Sequence, residues 1–228
     1  VLDGGDPSAE AKVYREAPTM TELWESYKDV RASKATPKAA KTIEEENTKW
    51  EKDVKPVIGS MKVEDVTPAT LSRLLKKKAK KYPTAANRLY SFLRVLFKPA
   101  LADGWIQAHP LQWIDKPGGR ETPRERILDD SEIKILWSYF DDEKRNPRDL
   151  LKVGLLTAQR PGEIMCMRWD KIDFKERVWE NHVSKTKMIN LVPLSDQMIK
   201  LLEYRKAEQD KKGVENEYVF RDRVIRNE

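Results

Sequence analysis

The segment of the chain best suited to phosphate chemistry is TAQRPGEI, at residues 157 to 164. Within it, Arg160 precedes a proline and Glu163 follows three residues later. The residue before a proline is kept out of the helical region, whereas proline itself suits the first position of a helix. The pattern therefore predicts that Arg160 projects at a helix start, where its planar guanidinium can bind both non-bridging oxygens of a phosphodiester. Glu163 is expected to orient this arginine.

A second candidate for phosphate chemistry is Lys185, in the sequence SKTK at residues 184 to 187. It lies between two strand-like segments and is expected at the tip of a hairpin. A lysine there can enter a DNA groove and, with its pKa lowered by neighbouring cations, donate a proton to a leaving 5′ oxygen. Lys187 is the alternative for this role. Taken alone, Arg160 with Glu163 would be a surface ion pair and Lys185 a solvated turn residue.

A dense basic stretch, KKKAKK at residues 76 to 81, offers a surface for a polyanion. Each DNA phosphate that such side chains neutralise releases counterions, so binding would depend on salt. A solvated, lysine-rich helix end is the alternative. Thr84, Asn87 and Ser91 are expected to add base or phosphate contacts. The candidate DNA-binding residues are Lys76, Lys77, Lys78, Lys80, Lys81, Arg88, Arg94, Lys98, Arg120 and Arg124.

The front half of the chain, residues 19 to 115, has the pattern of a compact domain of four helices. Two start signals are local: Thr19 opens a capping box, and Thr67 precedes a proline at the first helical position. Apolar residues at helical spacing extend the other helices. Two of the predicted helices start at Thr19 and Thr67. The other two cover residues 37 to 54, ended by Pro56 and Gly59, and residues 84 to 102, ended by Gly104.

Two glycine- and proline-containing segments flank this domain. Residues 1 to 18 are expected to be a tether, and residues 116 to 126 an exposed linker whose basic residues can contact phosphate. Residues 127 to 228 then combine helical patterns with short strands. The predicted fold class is therefore mainly α, with a helical domain followed by an α+β domain that has a small antiparallel sheet. In the second domain, helices are predicted at 130 to 140, 147 to 157 and 195 to 212, with strands between 172 and 192.

Composition favours a polyanionic partner. The 228 residues include 44 Lys and Arg against 38 Asp and Glu, a net charge of +6. Residues 19 to 117 hold 19 basic and 12 acidic residues, whereas residues 118 to 228 are nearly neutral. The single cysteine, Cys166, excludes an internal disulfide and is expected to be a small buried residue. Because the chain has no signal sequence and no apolar run of about 18 residues, a cytoplasmic location without a membrane partner is predicted.

Residues 155 to 174 around Arg160, followed by SKTK and by LVPL at 191 to 194, resemble the tyrosine recombinase (phage integrase) family. The stretch GGDP at 4 to 7 is similar to the segment after the arm-site-binding domain of prophage and genomic-island integrases. The resemblance implies a SAM-like core-binding domain that clamps DNA, and a catalytic domain that recombines specific sites through a 3′-phosphotyrosyl intermediate. Arg160 would stabilise the scissile phosphate and Lys185 would be the general acid, with no metal or other cofactor.

The resemblance does not extend to the residues that the family places last. These are a His-x-x-Arg box, a further His or Trp, and the nucleophilic tyrosine. His109 and His182 stand in other surroundings, and Tyr204 and Tyr218 come too early in the chain. Residues 218 to 220 resemble the strand before the missing box. We therefore expect a chain that stops within the catalytic domain, lacks the arm-binding domain, and binds double-stranded DNA as a monomer without cutting it; the full-length protein is expected to form a tetramer on DNA.

Two other classes of function remain open on the sequence. One is a non-catalytic DNA-binding regulator, or a decayed integrase that occupies its sites without cutting. The other is a metal-dependent nuclease, although the available acids flank one helix in the manner of caps and end charges rather than of a two-metal site. Those acids are Asp129, Asp130, Asp141, Asp142 and Glu143.

Overall fold

The computed structural model describes residues 14–35, 37–123, 125–142, 147–183, 188–213 and 216–220. The chain divides into two compact parts, the N-terminal unit Val1–Arg124 and the C-terminal unit Glu125–Glu228. Each unit has its own buried apolar cluster. The N-terminal unit is helical and the C-terminal unit combines helices with a three-stranded antiparallel sheet, so the predicted combination of folds is confirmed.

The N-terminal unit begins with the two caps that the sequence predicts. Thr19 Oγ1 accepts from the amide of Glu22 at 3.3 Å, and Glu22 Oε2 accepts from the amide of Thr19 at 2.6 Å. Thr67 Oγ1 likewise accepts from the amide of Thr70 at 3.2 Å. The helices of this unit are α1 Met20–Ala32, α2 Ala40–Lys49, α3 Lys55–Ile58, α4 Pro68–Ala79, α5 Pro83–Leu96 and α6 Lys98–Ala102.

Two helix ends differ from the sequence prediction, and both involve proline. The second helix was expected to reach residue 54 and to be ended by Pro56 and Gly59, but a π-helical turn, Trp50–Val54, joins α2 to α3 and the helix continues past Pro56 to Ile58, where Gly59 caps it. Proline has no N–H and its ring clashes with the carbonyl four residues earlier, and the wider π turn accommodates both effects. The helix predicted over 84 to 102 is instead divided at Phe97, next to Pro99, into α5 and α6.

Four aromatic rings form the centre of the N-terminal core. Trp24 and Trp50 stack with their centroids 5.2 Å apart and 9° between their planes, and Phe92 meets Trp24 edge-on at 5.9 Å. Tyr27 also stacks on Trp24, with the ring centroids 5.6 Å apart. Because Trp50 belongs to the π turn, this stacking fixes the turn against α1 and α5.

The described part of the predicted tether is attached to the N-terminal unit. The hydroxyl of Tyr14 donates to Asp65 Oδ2 at 2.6 Å, and Lys62 Nζ donates to the carbonyl of Arg15 at 2.9 Å. Thr19 and Lys62 also form an antiparallel bridge. Residues 14 to 18 are therefore docked on the unit, whereas residues 1 to 13 lie outside the described residues.

The C-terminal unit places one sheet among short helices. Its strands have the order β1-β2-β3, and Trp179 pairs with Val192 and Asn181 with Asn190 across β2 and β3. Ser195 Oγ accepts from the amide of Met198 at 3.3 Å and caps the last helix, which was predicted over 195 to 212. Its elements are α7 Asp130–Asp142, α8 Pro147–Thr157, α9 Pro161–Met165, β1 Ile172–Asp173, β2 Val178–Val183, β3 Met188–Pro193 and α10 Asp196–Lys211.

Side chains of α10 hold the segment 216 to 220 against the C-terminal core. Arg205 Nη2 donates to the carbonyl of Val219 at 2.8 Å, and Gln209 Nε2 donates to the same carbonyl at 3.2 Å. The strand expected at 218 to 220 is reduced to a single antiparallel bridge between Arg168 and Tyr218. Among the described residues, no helix has the length and apolar content needed to cross a bilayer.

Candidate phosphate-binding site and DNA-binding surface

Arg160 lies at the turn between α8 and α9, in the extended conformation that its position before proline predicts. Its φ and ψ are −68° and 141°, and its side chain is 78% exposed. The donors of the guanidinium that do not bond to Glu163 are therefore open to a ligand from solvent. Since α9 has only five residues, its dipole adds less to anion binding than the sequence pattern suggested. The charge and geometry of Arg160 itself dominate this site.

Glu163 braces Arg160, as the sequence predicts. Its carboxylate accepts from Arg160 Nη1 at 2.8 Å and from the Arg160 amide at 3.4 Å, and its side chain is only 12% exposed. The hydrogen bond from Arg160 is the main cause that holds the pKa of Glu163 below its usual range. Glu163 is thus a charged acceptor that limits the orientations open to the guanidinium.

Three amides beside this pair were not identified from the sequence. Gln159 Oε1 accepts from Asn181 Nδ2 at 2.9 Å and from Asn190 Nδ2 at 3.0 Å, and Asn181 also donates to Glu163 Oε2 at 3.2 Å. These bonds tie the Arg160 turn to β2 and β3. One signal was available: Asn is depleted in strands, yet it occurs in both of these strands.

The lysine candidates lie outside the described residues. Lys185 and its alternative Lys187 fall between Val183, the end of β2, and Met188, the start of β3. The same strands contact Gln159 through Asn181 and Asn190, so the hairpin that carries the lysines is attached to the Arg160 turn. Their part in the site stays a prediction.

Cys166 is exposed, so the prediction of a small buried residue is wrong. Ile164 and Met167 are the buried residues of this stretch, with 1% and 0% exposure. They occupy the inner side of the one-turn helix and its end, and the intervening Cys166 faces outward. An apolar run in the sequence did not reveal which of its members would face the core.

The basic stretch lies at the end of α4, and it is not uniformly available to a ligand. Lys76, Lys77, Lys80 and Lys81 are exposed. Lys78 is instead half-buried and pairs with Asp53 at 2.5 Å, which ties α4 to the π turn. Lys78 therefore has a carboxylate partner that the other four lysines lack within the described residues.

A groove of about 750 Å³ runs between the π turn, α4 and the start of α5. Its floor includes the apolar side chains of Val57, Leu74 and Leu89. Two of its basic residues, Lys52 in the π turn and Arg73 in α4, were not predicted because they lie outside the lysine run. The basic residues that line this groove, the basic groove, are Lys52, Arg73, Lys77, Lys78 and Lys81.

The other predicted DNA contacts lie on α5, α6 and the linker. Arg94, Lys98 and Arg120 are exposed, and Arg124 lies outside the described residues. Arg88 pairs with Glu121 at 3.3 Å, with both side chains substantially exposed. An exposed pair of this kind contributes little to stability and leaves Arg88 able to exchange its partner for a phosphate.

Asn87 does not contact DNA in the way that the sequence suggested, because it is 2% exposed. Its Oδ1 accepts from the amide of Gly118 at 2.8 Å, and its Nδ2 donates to the carbonyl of Gly119 at 3.1 Å. A Cβ on Gly118 would lie 2.3 Å from the carbonyl oxygen of Pro83, so glycine permits this close approach. The start of the predicted linker is therefore fixed to α5 rather than free.

The acids considered for a metal site act as helix caps where the structure describes them. Asp129 Oδ1 accepts from the hydroxyl of Ser131 at 2.6 Å and from the amide of Glu132 at 2.9 Å, and these bonds lower the pKa of Asp129. Within the described ranges, no three His, Cys, Asp or Glu side chains lie close enough to hold a metal ion. Glu143 lies outside those ranges, and the structure does not describe the side chains of Asp141 and Asp142.

A helical unit with a basic groove, followed by an α+β unit with a braced arginine, is the architecture expected of the DNA recombinases that the sequence resembles. The chain belongs to the phage integrase family. The model of the phage integrase central domain matches residues 22–116, and the model of the phage integrase family matches residues 126–227.

Relatives and solved structures agree with this assignment. Prophage integrase IntZ of Escherichia coli strain K12 is 27% identical over 157 residues, which are 67% of this chain and 39% of the relative. The integrase of Shigella phage Sf6 is 24% identical over 159 residues, 67% of this chain and 41% of the relative. The chain thus spans about two fifths of the length of these relatives.

Similar folds occur in integrases solved with DNA. A lambda integrase dimer bound to a COC′ core site matches with a TM-score of 0.78 and 18% identity, over 96% of this chain and 61% of that chain. The Tn1549 transposon integrase in complex with circular intermediate DNA matches with a TM-score of 0.65 and 16% identity, over 84% of this chain and 65% of that chain. At these identities the matches show the fold alone.

Proposed function

We propose that this chain acts in site-specific DNA recombination. The N-terminal unit binds duplex DNA through its basic residues, and Arg160 of the C-terminal unit binds the phosphodiester that is cut and rejoined. The observation that carries the proposal is the exposed guanidinium of Arg160, braced by Glu163 at 2.8 Å, in a member of the phage integrase family. Charge on the reacting phosphate is stabilised best by donors that are already oriented.

In this proposal, strand exchange proceeds through a 3′-phosphotyrosyl intermediate in the full-length protein. Arg160 stabilises the negative charge that develops on the phosphate, and Lys185 protonates the leaving 5′ oxygen. The covalent intermediate conserves the energy of the phosphodiester, so rejoining needs no ATP. We assign the nucleophile to none of the described tyrosines.

The proposed partner is double-stranded attachment-site DNA. Solved relatives include a lambda integrase tetramer bound to a Holliday junction, which supports a tetramer on DNA for the full-length protein. For this chain by itself we propose a monomer. The cytoplasm of a bacterium, where prophage and chromosomal DNA meet, is the proposed location.

Cleavage by the full-length protein tests the role of Arg160. A nicked duplex that traps the covalent intermediate first locates the crossover site with the wild type. Arg160→Ala is then expected to slow covalent complex formation on the order of 100- to 1,000-fold, because one oriented donor group is lost from the charged transition state. The dissociation constant for DNA should change little, since many other cations contact phosphates. An Arg160→Ala protein that cuts at the wild-type rate contradicts the proposal.

Salt-dependent binding of this chain tests the N-terminal surface. Combined Lys77→Ala, Lys80→Ala and Lys81→Ala substitutions should weaken binding of a duplex and reduce the slope of log K against log salt by up to about 0.9 per lost phosphate contact. Fluorescence anisotropy at several salt concentrations gives both quantities. A matched control removes the same charge elsewhere in the unit, at Lys28, Lys34 and Lys55, and should leave the slope closer to the wild type. Equal effects of the two sets would mean that net charge alone drives binding.

The same assays separate the proposal from its alternatives. A full-length protein that binds its site but never forms a covalent complex would be a DNA-binding regulator. A covalent complex formed by this chain alone would place the nucleophile within it and would make the expected lack of cleavage wrong.

A further inference from the structure

Asn181 forms a buried polar contact between β2 and the turn that carries Arg160. The residue is 2% exposed, and its Nδ2 atom donates to Gln159 Oε1 at 2.9 Å and to Glu163 Oε2 at 3.2 Å. An amide nitrogen has two hydrogens, so these two bonds use both of them. Asn181 therefore contacts both neighbours of the Arg160 guanidinium: the residue before it in the chain and the carboxylate that braces it.

The bond to Glu163 determines how that carboxylate faces Arg160. Asn181 donates to Oε2 at 3.2 Å, beside a longer bond of 3.4 Å from the Arg160 amide, whereas Oε1 accepts from Arg160 Nη1 at 2.8 Å. Without the amide, the carboxylate could rotate about its last side-chain bond, because that torsion is soft. Since the side chain of Arg160 is 78% exposed, packing does not fix the guanidinium, and its direction depends on this carboxylate.

The bond to Gln159 anchors the backbone of the same turn. Gln159 Oε1 also accepts from Asn190 on β3 at 3.0 Å, and Gln159 Nε2 donates to the carbonyl of Thr157 at 3.0 Å. The turn is therefore held to the sheet through Gln159 on one side of Arg160 and through Glu163 on the other. Asn181 is the side chain that takes part in both attachments.

We propose that Asn181 is a positioning residue for Arg160: it fixes the Glu163 carboxylate and the Gln159 side chain so that the guanidinium meets a phosphodiester in one orientation. The inference rests on the proposed function, in which Arg160 binds the phosphate that is cut. A misplacement of about 1 Å in such a group can slow a reaction on the order of 100-fold. Asn181 itself touches neither DNA nor the reacting atoms.

The test uses Asn181→Asp, which keeps the size of the side chain but replaces both donors with an acceptor that faces Glu163. Covalent complex formation by the full-length protein is measured in a single turnover with saturating protein on the nicked duplex. At about pH 8 the rate is expected to fall about 10- to 100-fold, whereas the dissociation constant for DNA changes less than about 3-fold. Asn190→Asp is the matched comparison, because Asn190 bonds to Gln159 but not to Glu163, and its rate should fall less than that of Asn181→Asp.

A pH series separates positioning from a general structural defect. Once protonated, the introduced carboxyl again donates a hydrogen bond, and burial next to the Glu163 carboxylate favours its protonation. The ratio of the variant rate to the wild-type rate should therefore rise as the pH falls from about 8 to about 6. Taking the ratio cancels groups that titrate or carry charge in both proteins, including Glu180, His182, Arg168 and Lys171, which line the same cavity as Asn181 and Glu163.

Asn181→Ala provides the second variant, because it removes the donors without adding a charge. Its rate of covalent complex formation should fall to a similar extent, but the ratio of its rate to the wild-type rate should not rise at lower pH. Thermal melts at each pH report the folded fraction, so that a rate loss is counted only where the protein is folded. Wild-type rates in both variants, or losses that follow the folded fraction alone, would overturn the inference.

The outcome for Arg160→Ala distinguishes this inference from the proposed function. If Arg160→Ala cuts normally, the proposed function fails whatever Asn181 does. If Arg160→Ala is inactive while both Asn181 variants cut at the wild-type rate, only the positioning role of Asn181 is wrong.

Discussion

At the scale of the residue, Ala158 has a strained backbone conformation in the turn that carries Arg160. Its φ is +53°, a left-handed conformation that costs a non-glycine residue about 1–2 kcal/mol. Its amide donates to the carbonyl of Gly154 at 2.9 Å, which ends α8, and the next residue, Gln159, is bonded to the sheet. Strain of this kind persists where the surrounding contacts determine the backbone, here two residues before the candidate phosphate-binding group.

Ala158→Gly should therefore stabilise the C-terminal unit by about 1 kcal/mol, because glycine adopts this conformation without the steric cost. Urea denaturation of this chain measures the change. Ala207→Gly is the matched control in the same unit: Ala207 is exposed within α10, where glycine should instead destabilise by about 0.5–1 kcal/mol. If Ala158→Gly and Ala207→Gly both lowered the free energy of unfolding, glycine would not release the strain at Ala158.

At the scale of the element, a buried carboxylate joins α1 to α2. Glu46 is 8% exposed and accepts from Arg31 Nη1 at 3.0 Å and from Lys38 Nζ. Burial alone would raise the pKa of Glu46, but the hydrogen bonds from Lys38 and Arg31 outweigh it and hold that pKa below its usual range. A buried charge of this kind is tolerated because its partners are in place, and it fixes the angle at which the two helices meet.

The lowered pKa gives a pH-dependent stability with a defined sign. The charged form of Glu46 stabilises the N-terminal unit above the unfolded-state pKa, and this contribution is lost as the pH falls through the folded-state pKa. Glu46→Gln should therefore lower the free energy of unfolding by about 2 kcal/mol at pH 7, and its difference from wild type should shrink below about pH 4. Urea melts across this range test it. The neighbouring Glu45→Gln is the control, because Glu45 is 58% exposed and lies 3.9 Å from Lys49. If the difference in the free energy of unfolding between Glu46→Gln and wild type stayed constant at all pH values, a role for the charge of Glu46 would be excluded.

At the scale of the whole molecule, the sequence predicted what local chemistry decides. The caps at Thr19, Thr67 and Ser195 were predictable because their hydrogen bonds reach only three residues along the chain. The helix through Pro56 and the burial of Asn87 were not, because each depends on contacts with distant elements. Trp50 stacks on Trp24 across the N-terminal core, and Asn87 bonds to residues 31 and 32 positions away.

The same distinction between local contacts and contacts with distant elements applies to the candidate site. Arg160 and Glu163 are three residues apart, so a proline and a carboxylate in the sequence were enough to predict their pairing. The bond from Asn181 to Gln159 spans 22 residues and the one from Asn190 spans 31, and each requires the register of β2 and β3. Single-sequence patterns do not specify such a register to the residue.

Uneven charge and separate cores together predict that DNA binding belongs mainly to one unit. Residues 19 to 117 carry an excess of basic residues, 19 against 12, while residues 118 to 228 are nearly neutral, and each unit has its own buried cluster. An isolated N-terminal unit of residues 14 to 123 should therefore fold and keep a salt slope within about one unit of that of the intact chain. Residues 125 to 228 alone should bind a duplex at least about 10-fold more weakly.

Fluorescence anisotropy with one duplex over a series of salt concentrations measures all three proteins, and circular dichroism establishes that each is folded. If residues 125 to 228 instead accounted for most of the salt dependence of duplex binding by the intact chain, the phosphate contacts would have to lie near Arg160 and the β2–β3 hairpin rather than in the basic groove. Neutralising Lys77, Lys80 and Lys81 should in that case leave the affinity unchanged. The two experiments therefore locate the electrostatic contacts independently, one by dividing the chain and the other by removing charges from it.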